Sequence, residues 1–545
     1  MLRSKYLLLA GIVALLLGYT VFQTFAVRQP LPGSAPIIWV ASGMERIGLY
    51  DQPGSSKRSE LSAARAEYEP FQVVIQAPLA GLSNVTMTVS DLVSANGTRI
   101  LSANLTLYRE QYIYVSHGSP NRGGSNQPLG AGWYPDPLIP FGTLGNPTVP
   151  VDPALRAVPF ALAAGKNQPI WVDVFVPPQT PADIYTGTFQ VVSDQGQAQG
   201  EIQLTVWNFA LPASPSLRSG FEFTDDSTLN LNIMTELLKH KLMPKRTPPQ
   251  HSLQLQQTYG LNSSAIGFWS GADNRTCSLR PLPTVDQFKQ VASQYASGLF
   301  LYNHTADEVD GCPNFASLIG ELKTWGRNLH AVGVANMLTI KPIPELADDG
   351  TGHSVVDIWT MLPKMYEDSG AQIDQARQRN EQIWSYNALV QDDYSPKWQI
   401  DFAPINYRIQ PGFLSQSLNL SGIYYWNVNE WTSDPWKNVQ TYVDGKESYP
   451  GEGMLVYPGQ PAGVVGVVPS IRLKWLREGV EDYEYVAILK GRERADLALE
   501  IARSVAPDWH NWTRDPLALD AARSRLAEAI IATNPNTISV PLLTR

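Results

Sequence analysis

A chain of 545 residues is long enough for two to four domains, and 43% of its residues are hydrophobic while only 17% are charged. This composition argues against disorder over most of the length. The formal net charge of -9 argues against a nucleic-acid partner, which would need a basic surface. Two cysteines, Cys277 and Cys312, allow one disulfide but no four-cysteine metal site, and we expect neither a metal nor a cofactor.

The amino terminus carries Arg3 and Lys5, followed by a predominantly apolar stretch over residues 6–27. A stretch of this length can span a bilayer at about 1.5 Å per residue. It also fits a signal peptide with a cleavage site ending at Ala26. Because the apolar character continues to the end of the stretch, the pattern favours an uncleaved membrane anchor in residues 1–29. Either interpretation predicts an extracytoplasmic body, membrane-anchored or secreted.

Residues 37–212 alternate between apolar and polar side chains in the manner of half-buried strands. In "NVTMTVSDL", for example, Val85, Met87 and Val89 share one side of the strand. Further runs of this kind are separated by Gly, Pro, Asn and Asp clusters at turn-like spacing. We therefore predict an antiparallel β-sandwich over residues 37–212, with the polar, Gly- and Pro-rich residues 117–140 as a long loop.

From about residue 217, runs typical of strands alternate with runs typical of helices. The predicted strands are "GFEFT", "AIGFW", "LFLYN", "VANMLTI", "EQIWSYN" and "GIYYWNV", and "VVDIWTMLPKMYED" is among the predicted helices. This alternation predicts a parallel sheet, and the length of the region favours a closed (β/α)8-type barrel over residues 217–468. No GxGxxG or GxxxxGK[ST] motif follows any of these strands to indicate a nucleotide fold.

The pattern in residues 469–545 is helical. Leu473 and Leu476 begin an apolar series at three- and four-residue steps, which predicts one packed helix stripe. The acidic "EGVEDYE" in the same helix is interpreted as its solvated face. A second helix is predicted to begin at Asp515 and Pro516, which fit the N-cap and the first helical turn.

Two adjacent carboxylates, Asp307 and Glu308, follow the predicted strand "LFLYN". In a β/α architecture, the loop after a strand lies on the face where active sites are built. An isolated Asp-Glu pair is more often a solvated helix start that is favoured by the helix dipole. The surrounding residues decide between these interpretations.

Carboxylates and indoles also follow several of the other predicted strands. Carboxyl groups can protonate a glycosidic oxygen and stabilise a cationic centre, and flat aromatic rings stack on sugars. The sequence therefore predicts carbohydrate chemistry and a glycan partner, although core packing remains the alternative for any single Trp. The residues predicted to bind substrate are Asp225, Trp384, Tyr386, Trp426 and Trp431.

Several motifs carry a resemblance to a known family. They are "TADEVDG", "VVDIW", "GIYYWNVNEW" followed by "DPW", "GEGMLVYPG" and "PSIRLKWLREGVEDYEYVAILK". These motifs resemble the catalytic region of glycoside hydrolase family 123 and the wider group that shares its catalytic domain, domain of unknown function 4091. The amino-terminal "YEPFQVVI", "PDPLIP" and "QPIWVDVFVPPQTPADIYTGTFQV" are similar to the β-sandwich that precedes that domain.

The resemblance implies a β-N-acetylgalactosaminidase-type hydrolase that uses a substrate-assisted retaining mechanism on a β-linked 2-acetamido sugar. By this match Glu308 is the general acid/base, and Asp307 orients the 2-acetamido group. A proline often follows the pair in the family, whereas Val309 follows it here. Two neighbouring carboxyls also resist double ionisation, which raises one pKa as a general acid requires.

Two other functional classes remain open at this point. A conventional retaining glycosidase would use Glu308 with a separate nucleophile about 5 Å away, for which Glu430 is the best candidate. A non-catalytic envelope protein that binds glycans could keep the fold without turnover, because fold alone does not establish function. The oligomeric state is not predicted by any of these patterns.

Overall fold

The computed structural model describes residues 35–142 and 149–533. Its amino-terminal part contains twelve strands, most of which are short and separated by turns. Their bounds are β1 Ile37–Ser42, β2 Arg58–Arg65, β3 Tyr68–Gln76, β4 Leu82–Val89, β5 Leu92–Ser94, β6 Arg99–Ile100, β7 Leu105–Val115, β8 Gly132–Pro140, β9 Phe160–Leu162, β10 Asn167–Phe175, β11 Ile184–Ser193 and β12 Gly196–Ala210.

These strands form two sheets that share one hydrophobic core. One sheet has the order β1-β3-β10-β7-β8, and the other has β2-β12-β11-β4-β9 with β5 and β6 at its side. All pairings are antiparallel except the parallel pair β2–β12. The core between the sheets includes Phe71, Val85, Val172, Phe189 and Leu204. The predicted antiparallel β architecture of this part is confirmed.

The predicted loop over residues 117–140 is only partly a loop. Its last part, Gly132–Pro140, is strand β8. Proline is tolerated at the edge of a sheet because it cannot donate a ladder hydrogen bond, and β8 lies at an edge. Pro135 and Pro137 therefore fit a strand, although proline in this segment predicted a loop.

The second region builds one sheet of seven parallel strands in the order β13-β19-β18-β17-β16-β15-β14. Their bounds are β13 Arg218–Phe221, β14 Ser263–Ala265, β15 Phe300–Asp307, β16 Ala335–Thr339, β17 Ile358–Met361, β18 Gln382–Asn387 and β19 Gly422–Tyr425. The helices of this region are α1 Asn230–Lys239, α2 Pro249–Tyr259, α3 Val285–Ala292, α4 Phe315–His330, α5 Pro363–Ser369, α6 Ala371–Gln378, α7 Ile405–Ile409 and α8 Ser415–Ser417, with a π-helical turn at Gln410–Leu414.

The sheet is nearly closed into a barrel. The gap between β13 and β14 is bridged by residues 243–245, which hydrogen-bond to both neighbours. Phe221 N donates to Met243 O at 2.9 Å, Lys245 N donates to Phe221 O at 2.8 Å, and Ala265 N donates to Lys245 O at 2.7 Å. The described residues thus give a seven-stranded barrel-like sheet, which matches the predicted eight-stranded barrel in part.

One predicted helix of this region begins with a strand instead. In "VVDIWTMLPKMYED", Ile358–Met361 is β17, and the helix begins only at Pro363. All four strand residues are buried, so they lack the alternation that distinguishes a strand with one solvated face. A short, continuously apolar run is ambiguous between the two structures.

Two short hairpins and three helices complete the described chain. The hairpin strands are β20 Tyr442–Asp444, β21 Glu447–Tyr449, β22 Val456–Pro458 and β23 Val467–Pro469, and the helices are α9 Ile471–Gly491, α10 Ala495–Val505 and α11 Pro516–Ala532. Asp515 caps α11, where its side chain accepts a hydrogen bond from Leu517 N, as the sequence predicts. The domain boundaries proposed from the sequence stay predictions.

The acidic segment of α9 is not the solvated face that its sequence suggests. Glu478, Glu481, Asp482 and Glu484 are each at most 2% exposed. Helix α9 is buried on nearly all sides, with contacts to the amino-terminal strands, the barrel and α11. These carboxylates are tolerated there because they have polar partners: Asp482 pairs with Arg408 and Arg523, and Glu484 accepts hydrogen bonds from Ser216.

The prediction of a membrane anchor requires correction. Within residues 35–142 and 149–533, no helix is both long enough and apolar enough to cross a membrane. The stretch that carried the prediction, residues 1–29, lies outside the described residues. The transmembrane segment, the membrane association and the extracytoplasmic location expected from the sequence are therefore not supported.

Candidate active site

A pocket of about 390 Å³ opens at the carboxyl ends of the parallel strands. Side chains from β15, β18 and β19 and from the segments after β13 and β14 line it. They converge there because parallel strands of one sheet end at the same edge. The lining includes Glu222, Lys245, Trp269, His304, Asp307, Tyr386, Tyr424 and Trp426.

Asp307 is the last residue of β15, and its carboxyl group faces this pocket. The β15–β16 register shifts between His304 and Ala306, so the backbone leaves the regular pleat just before the acid pair. The atom Asp307 Oδ1 is buried and has no hydrogen-bond partner among the described residues. It lies 4.0 Å from His304 Nε2. Burial raises the pKa of Asp307, which Thr339 and Lys245 lower in part.

Glu308 follows in a left-handed conformation with φ 49° and ψ 29°. This turn separates the directions of the two neighbouring side chains, and the pocket lining includes Asp307 but not Glu308. The Glu308 carboxylate accepts a 2.6 Å hydrogen bond from Asn274 Nδ2. Burial and the neighbouring Asp307 raise the pKa of Glu308, while the Asn274 hydrogen bond lowers it in part. A raised pKa keeps the group protonated at higher pH, as a general acid requires.

Tyr386 stands near both carboxyl groups. It lies on β18, lines the pocket and is 7% exposed. Burial raises the pKa of Tyr386 well above its usual range, and the charges of Asp307 and Glu308 add to the rise. The phenol is therefore neutral and able to donate a hydrogen bond into the pocket.

A disulfide holds together the two loops that carry this pair and its partner. Cys277 and Cys312 are bonded, with Cα atoms 5.5 Å apart. Asn274 lies three residues before the first cysteine, and Glu308 lies four residues before the second. The one disulfide that the sequence allowed thus connects the segment of the hydrogen-bond donor to the segment of its carboxylate acceptor.

The remaining predicted substrate-binding residues occupy different environments. Trp426 lines the pocket. Trp384 has no exposed surface and lies within the barrel core, where it packs against Tyr302 and is not available to a sugar. Trp431 is not among the lining residues, and its indole nitrogen donates to Val456 O at 2.7 Å. Asp225 is exposed and pairs with Arg246, a lining residue, at 2.9 Å.

Sequence reasoning missed several charged or polar residues of the pocket, among them Glu222, Lys245 and Tyr424. Lys245 Nζ lies 2.6 Å from Glu222 Oε2, and the Tyr424 hydroxyl donates to the same oxygen at 2.9 Å. A glutamate inside the apolar run "GFEFT" was the available signal. Lys245 gave none, because it follows no recognisable strand.

Metal binding finds no support in the described part of the chain, where no group of three or more His, Cys, Asp or Glu side chains is arranged around a common point. His304 is the imidazole closest to the acid pair. Burial lowers the pKa of His304 well below its usual range, and its Nε2 lies 2.9 Å from Thr339 Oγ1. We interpret His304 as a neutral hydrogen-bonding residue.

A barrel-like parallel sheet whose carboxyl edge carries an acid pair and aromatic side chains that line a pocket defines a candidate carbohydrate-active enzyme. Comparison with family models makes this specific. The model of the glycoside hydrolase 123 catalytic domain matches residues 345–489, and that of the glycoside hydrolase 123 N-terminal domain matches residues 51–193. The chain belongs to glycoside hydrolase family 123. Asp307 and Glu308 lie outside both matched ranges, so these matches leave their roles untested.

Among solved structures, the chain is similar to a family 123 glycoside hydrolase from Clostridium perfringens, studied for glycolipid glycan hydrolysis. The TM-score is 0.61 at 14% identity, covering 91% of this chain and 98% of the other, which is a likeness of fold. A β-glucuronidase from Parabacteroides merdae matches with a TM-score of 0.28 at 9% identity, covering 77% of this chain and 50% of that one. This TM-score is too low to indicate a shared fold. No curated protein shows significant similarity.

Proposed function

We propose that this family 123 member hydrolyses a β-linked 2-acetamido glycoside, of the N-acetylgalactosaminide type, with retention of anomeric configuration and with the substrate's acetamido group as nucleophile. The supporting observation is that Asp307 lines the pocket and that its buried oxygen Oδ1 has no hydrogen-bond partner among the described residues. Leaving such an acceptor unpaired costs free energy unless a ligand supplies the donor. An acetamido N–H is a donor of the required kind.

Asp307 acts on the acetamido group in this mechanism. Its carboxylate accepts the N–H, which turns the carbonyl oxygen toward the anomeric carbon and makes it a better nucleophile. As the carbonyl oxygen bonds to that carbon, positive charge develops on the acetamido group. The negative charge of Asp307 then stabilises the oxazolinium-like state more than the ground state, which is the condition for catalysis.

Glu308 supplies and recovers the proton. As the acetamido oxygen bonds to the anomeric carbon, the glycosidic bond breaks and the Glu308 proton passes to the departing oxygen. Water then attacks the anomeric carbon from the side that the leaving group vacated, gives a proton to Glu308 and reopens the oxazolinium ring. Two inversions at one carbon retain its configuration. The pKa of Glu308, raised by burial and by Asp307, suits the first step.

The aromatic residues of the pocket bind the sugar. Trp426 offers a partly exposed indole face, on which the apolar side of a pyranose ring stacks, and Tyr386 donates a hydrogen bond from its phenol. Arg246, held by Asp225, contributes a hydrogen-bond donor at the pocket wall. Glycolipid glycans, the class studied with the similar Clostridium perfringens enzyme, are the substrates to examine first.

A conventional retaining route is less well supported. It would require Glu430 as a nucleophile beside Glu308, and neither of these residues lines the pocket, whereas Asp307 does. Its carboxylate instead accepts a 2.7 Å hydrogen bond from Asn427 Nδ2. The proposed reaction therefore uses the acid pair, of which Asp307 lines the pocket.

The test compares matched aryl glycosides that carry either a 2-acetamido or a 2-hydroxyl group on the same β-linked sugar. We expect the protein to cleave the first efficiently and the second about 10³-fold more slowly or not at all, because the hydroxyl cannot act as the internal nucleophile. Asp307→Asn should reduce kcat much more than it raises KM. Equal cleavage of both sugars, or a covalent sugar trapped on Glu430, would contradict the assisted mechanism.

A further inference from the structure

Trp426 is held by a buried carboxylate, whereas two neighbouring indoles are held by backbone carbonyls. Its indole Nε1 donates to Glu452 Oε1 at 2.6 Å. Glu452 has no exposed surface, and its second carboxylate oxygen accepts a hydrogen bond from Gln399 Nε2. Nearby indoles use backbone carbonyls instead: Trp431 donates to Val456 O and Trp436 to Pro458 O. A tryptophan in this part of the fold thus needs no carboxylate for its N–H to be satisfied.

The carboxylate makes a stiffer attachment at some cost in stability. A hydrogen bond to an ionised acceptor is roughly twice as strong as one between neutral groups. Burying a carboxylate away from water costs free energy, however, and raises the pKa of Glu452, which the hydrogen bonds from the neutral side chains of Trp426 and Gln399 lower in part. Such an arrangement is expected where the orientation of the held ring matters.

The ring of Trp426 is also fixed on its other sides. Gly453 has φ +68°, and a Cβ atom at this position would lie 2.6 Å from Trp426 Cζ2. The absence of a side chain therefore lets the indole pack directly on the backbone of the residue that follows Glu452. The ring of Tyr442 stands edge-on to the indole, with centroids 5.9 Å apart and an interplanar angle of 75°.

We propose that Glu452 is a positioning residue for substrate binding: together with Gly453 it fixes the plane of the Trp426 indole so that one face is presented to the sugar. The inference rests on the proposed function, because it takes Trp426 as the stacking surface of the glycan pocket. It adds a residue that contacts no substrate and acts only through the indole N–H.

A double-mutant cycle tests the proposal. Glu452→Gln should raise KM for the aryl 2-acetamido glycoside about 5- to 20-fold while kcat changes less than about threefold, since a misplaced ring weakens binding and leaves the acid pair intact. In a Trp426→Phe background, which has no indole N–H, Glu452→Gln should add no further rise in KM. An equal rise in both backgrounds would overturn the proposal, as would an unchanged KM. Trp436→Phe, which removes an indole bonded to a backbone carbonyl, is the matched control.

A second readout does not depend on activity. In full-length protein labelled with 5-fluorotryptophan, the Trp426 fluorine resonance is identified by its absence from Trp426→Phe. Glu452→Gln should shift or broaden this resonance and leave that of Trp436 in place, and Gly453→Ala should do the same if Glu452→Gln does not fold. An unchanged Trp426 resonance would overturn the positioning role even in an active enzyme. Failure to cleave any 2-acetamido glycoside would instead contradict the proposed function, while the resonance still reports on Glu452.

Discussion

Two aspartates, Asp307 in the pocket and Asp173 between the β-sheets and helix α9, differ in their hydrogen-bond partners and in the direction of their pKa shifts. Asp173 is 2% exposed and accepts charged hydrogen bonds from Lys474 at 2.9 Å and from Arg477 at 2.6 and 2.9 Å. Burial opposes its ionisation, but Arg477 and Lys474 outweigh burial and hold the pKa of Asp173 well below its usual range. Burial raises the pKa of Asp307, and its Oδ1 finds no partner in the described chain.

The contrast separates structural charge from functional charge. At the α9 interface, Asp173 and Asp482 are both paired with cations, Asp482 with Arg408 and Arg523. In the pocket, Asp307 Oδ1 has no hydrogen-bond partner among the described residues, although Lys245 is close enough to lower the pKa of Asp307 in part. Perturbed carboxyl groups in a cleft are characteristic of catalytic sites, because a substrate completes their interactions.

The largest effect should come from the pocket. Glu308→Gln is nearly isosteric but cannot donate a proton, so we expect kcat to fall by about 10²- to 10⁴-fold on substrates with poor leaving groups. The loss should shrink for an activated aryl leaving group, which needs less protonation. Steady-state kinetics on the two substrate types would measure this, and near-normal turnover of the poor substrate would exclude Glu308 as the acid. The melting temperature should change little, because the residue is only half-buried.

A substitution at the α9 interface should lower the stability of the fold rather than the rate of catalysis. Asp173→Asn leaves Lys474 buried without its counter-charge and removes the shortest ion pair of Arg477, which keeps Glu478 at 3.4 Å, and we expect the free energy of unfolding to fall by about 3–5 kcal/mol. Denaturant titration would show this as a lower midpoint.

The control is Glu201→Gln, which removes an exposed partner of Arg58 at 3.4 Å and should change the free energy of unfolding by about 1 kcal/mol or less. Similar losses for the two variants would show that pairing at the interface does not carry the stability assigned to it.

A smaller effect should appear in the pH dependence. Asn274 donates to the Glu308 carboxylate and so stabilises its charged form, which lowers the pKa. Asn274→Leu removes this donor, and the pKa of Glu308 should rise further. The acid form then persists to higher pH, so the alkaline limb of the kcat/KM profile should shift to higher pH.

Asn314→Leu serves as the control for this shift, because Asn314 belongs to the same pair of loops but donates to Cys277 O instead. Its alkaline limb should match that of the unaltered protein. A shift of the alkaline limb to lower pH in Asn274→Leu would show that this limb reports the ionisation of another group.

The sequence predicted much of the architecture because strand and helix patterns are local. It failed where burial comes from distant parts of the chain. Ile358–Met361 resembles a helix segment because both faces of this strand are covered. The acidic residues of α9 resemble a solvated face because their cationic partners, such as Arg523 for Glu478, lie on other elements.

The candidate site shows the same division. Asp307 and Glu308 could be selected because they stand at the carboxyl end of a recognisable strand. Trp384 and Tyr386 were both selected from β18 but lie at different depths in the barrel, and only Tyr386 reaches the pocket. Glu222 and Lys245 meet across 23 residues of chain, a separation that no local pattern encodes.

The most direct test of the central claim varies the proposed nucleophile itself. Successive fluorination of the acetamido methyl group makes the carbonyl oxygen a poorer nucleophile without changing the leaving group. For the unaltered protein, we expect kcat/KM to fall progressively from the unsubstituted to the trifluorinated aryl 2-acetamido glycoside, with a steep linear dependence on the electron withdrawal of the substituent. A kcat/KM that does not vary with fluorine number would contradict acetamido participation, and with it the role of Asp307.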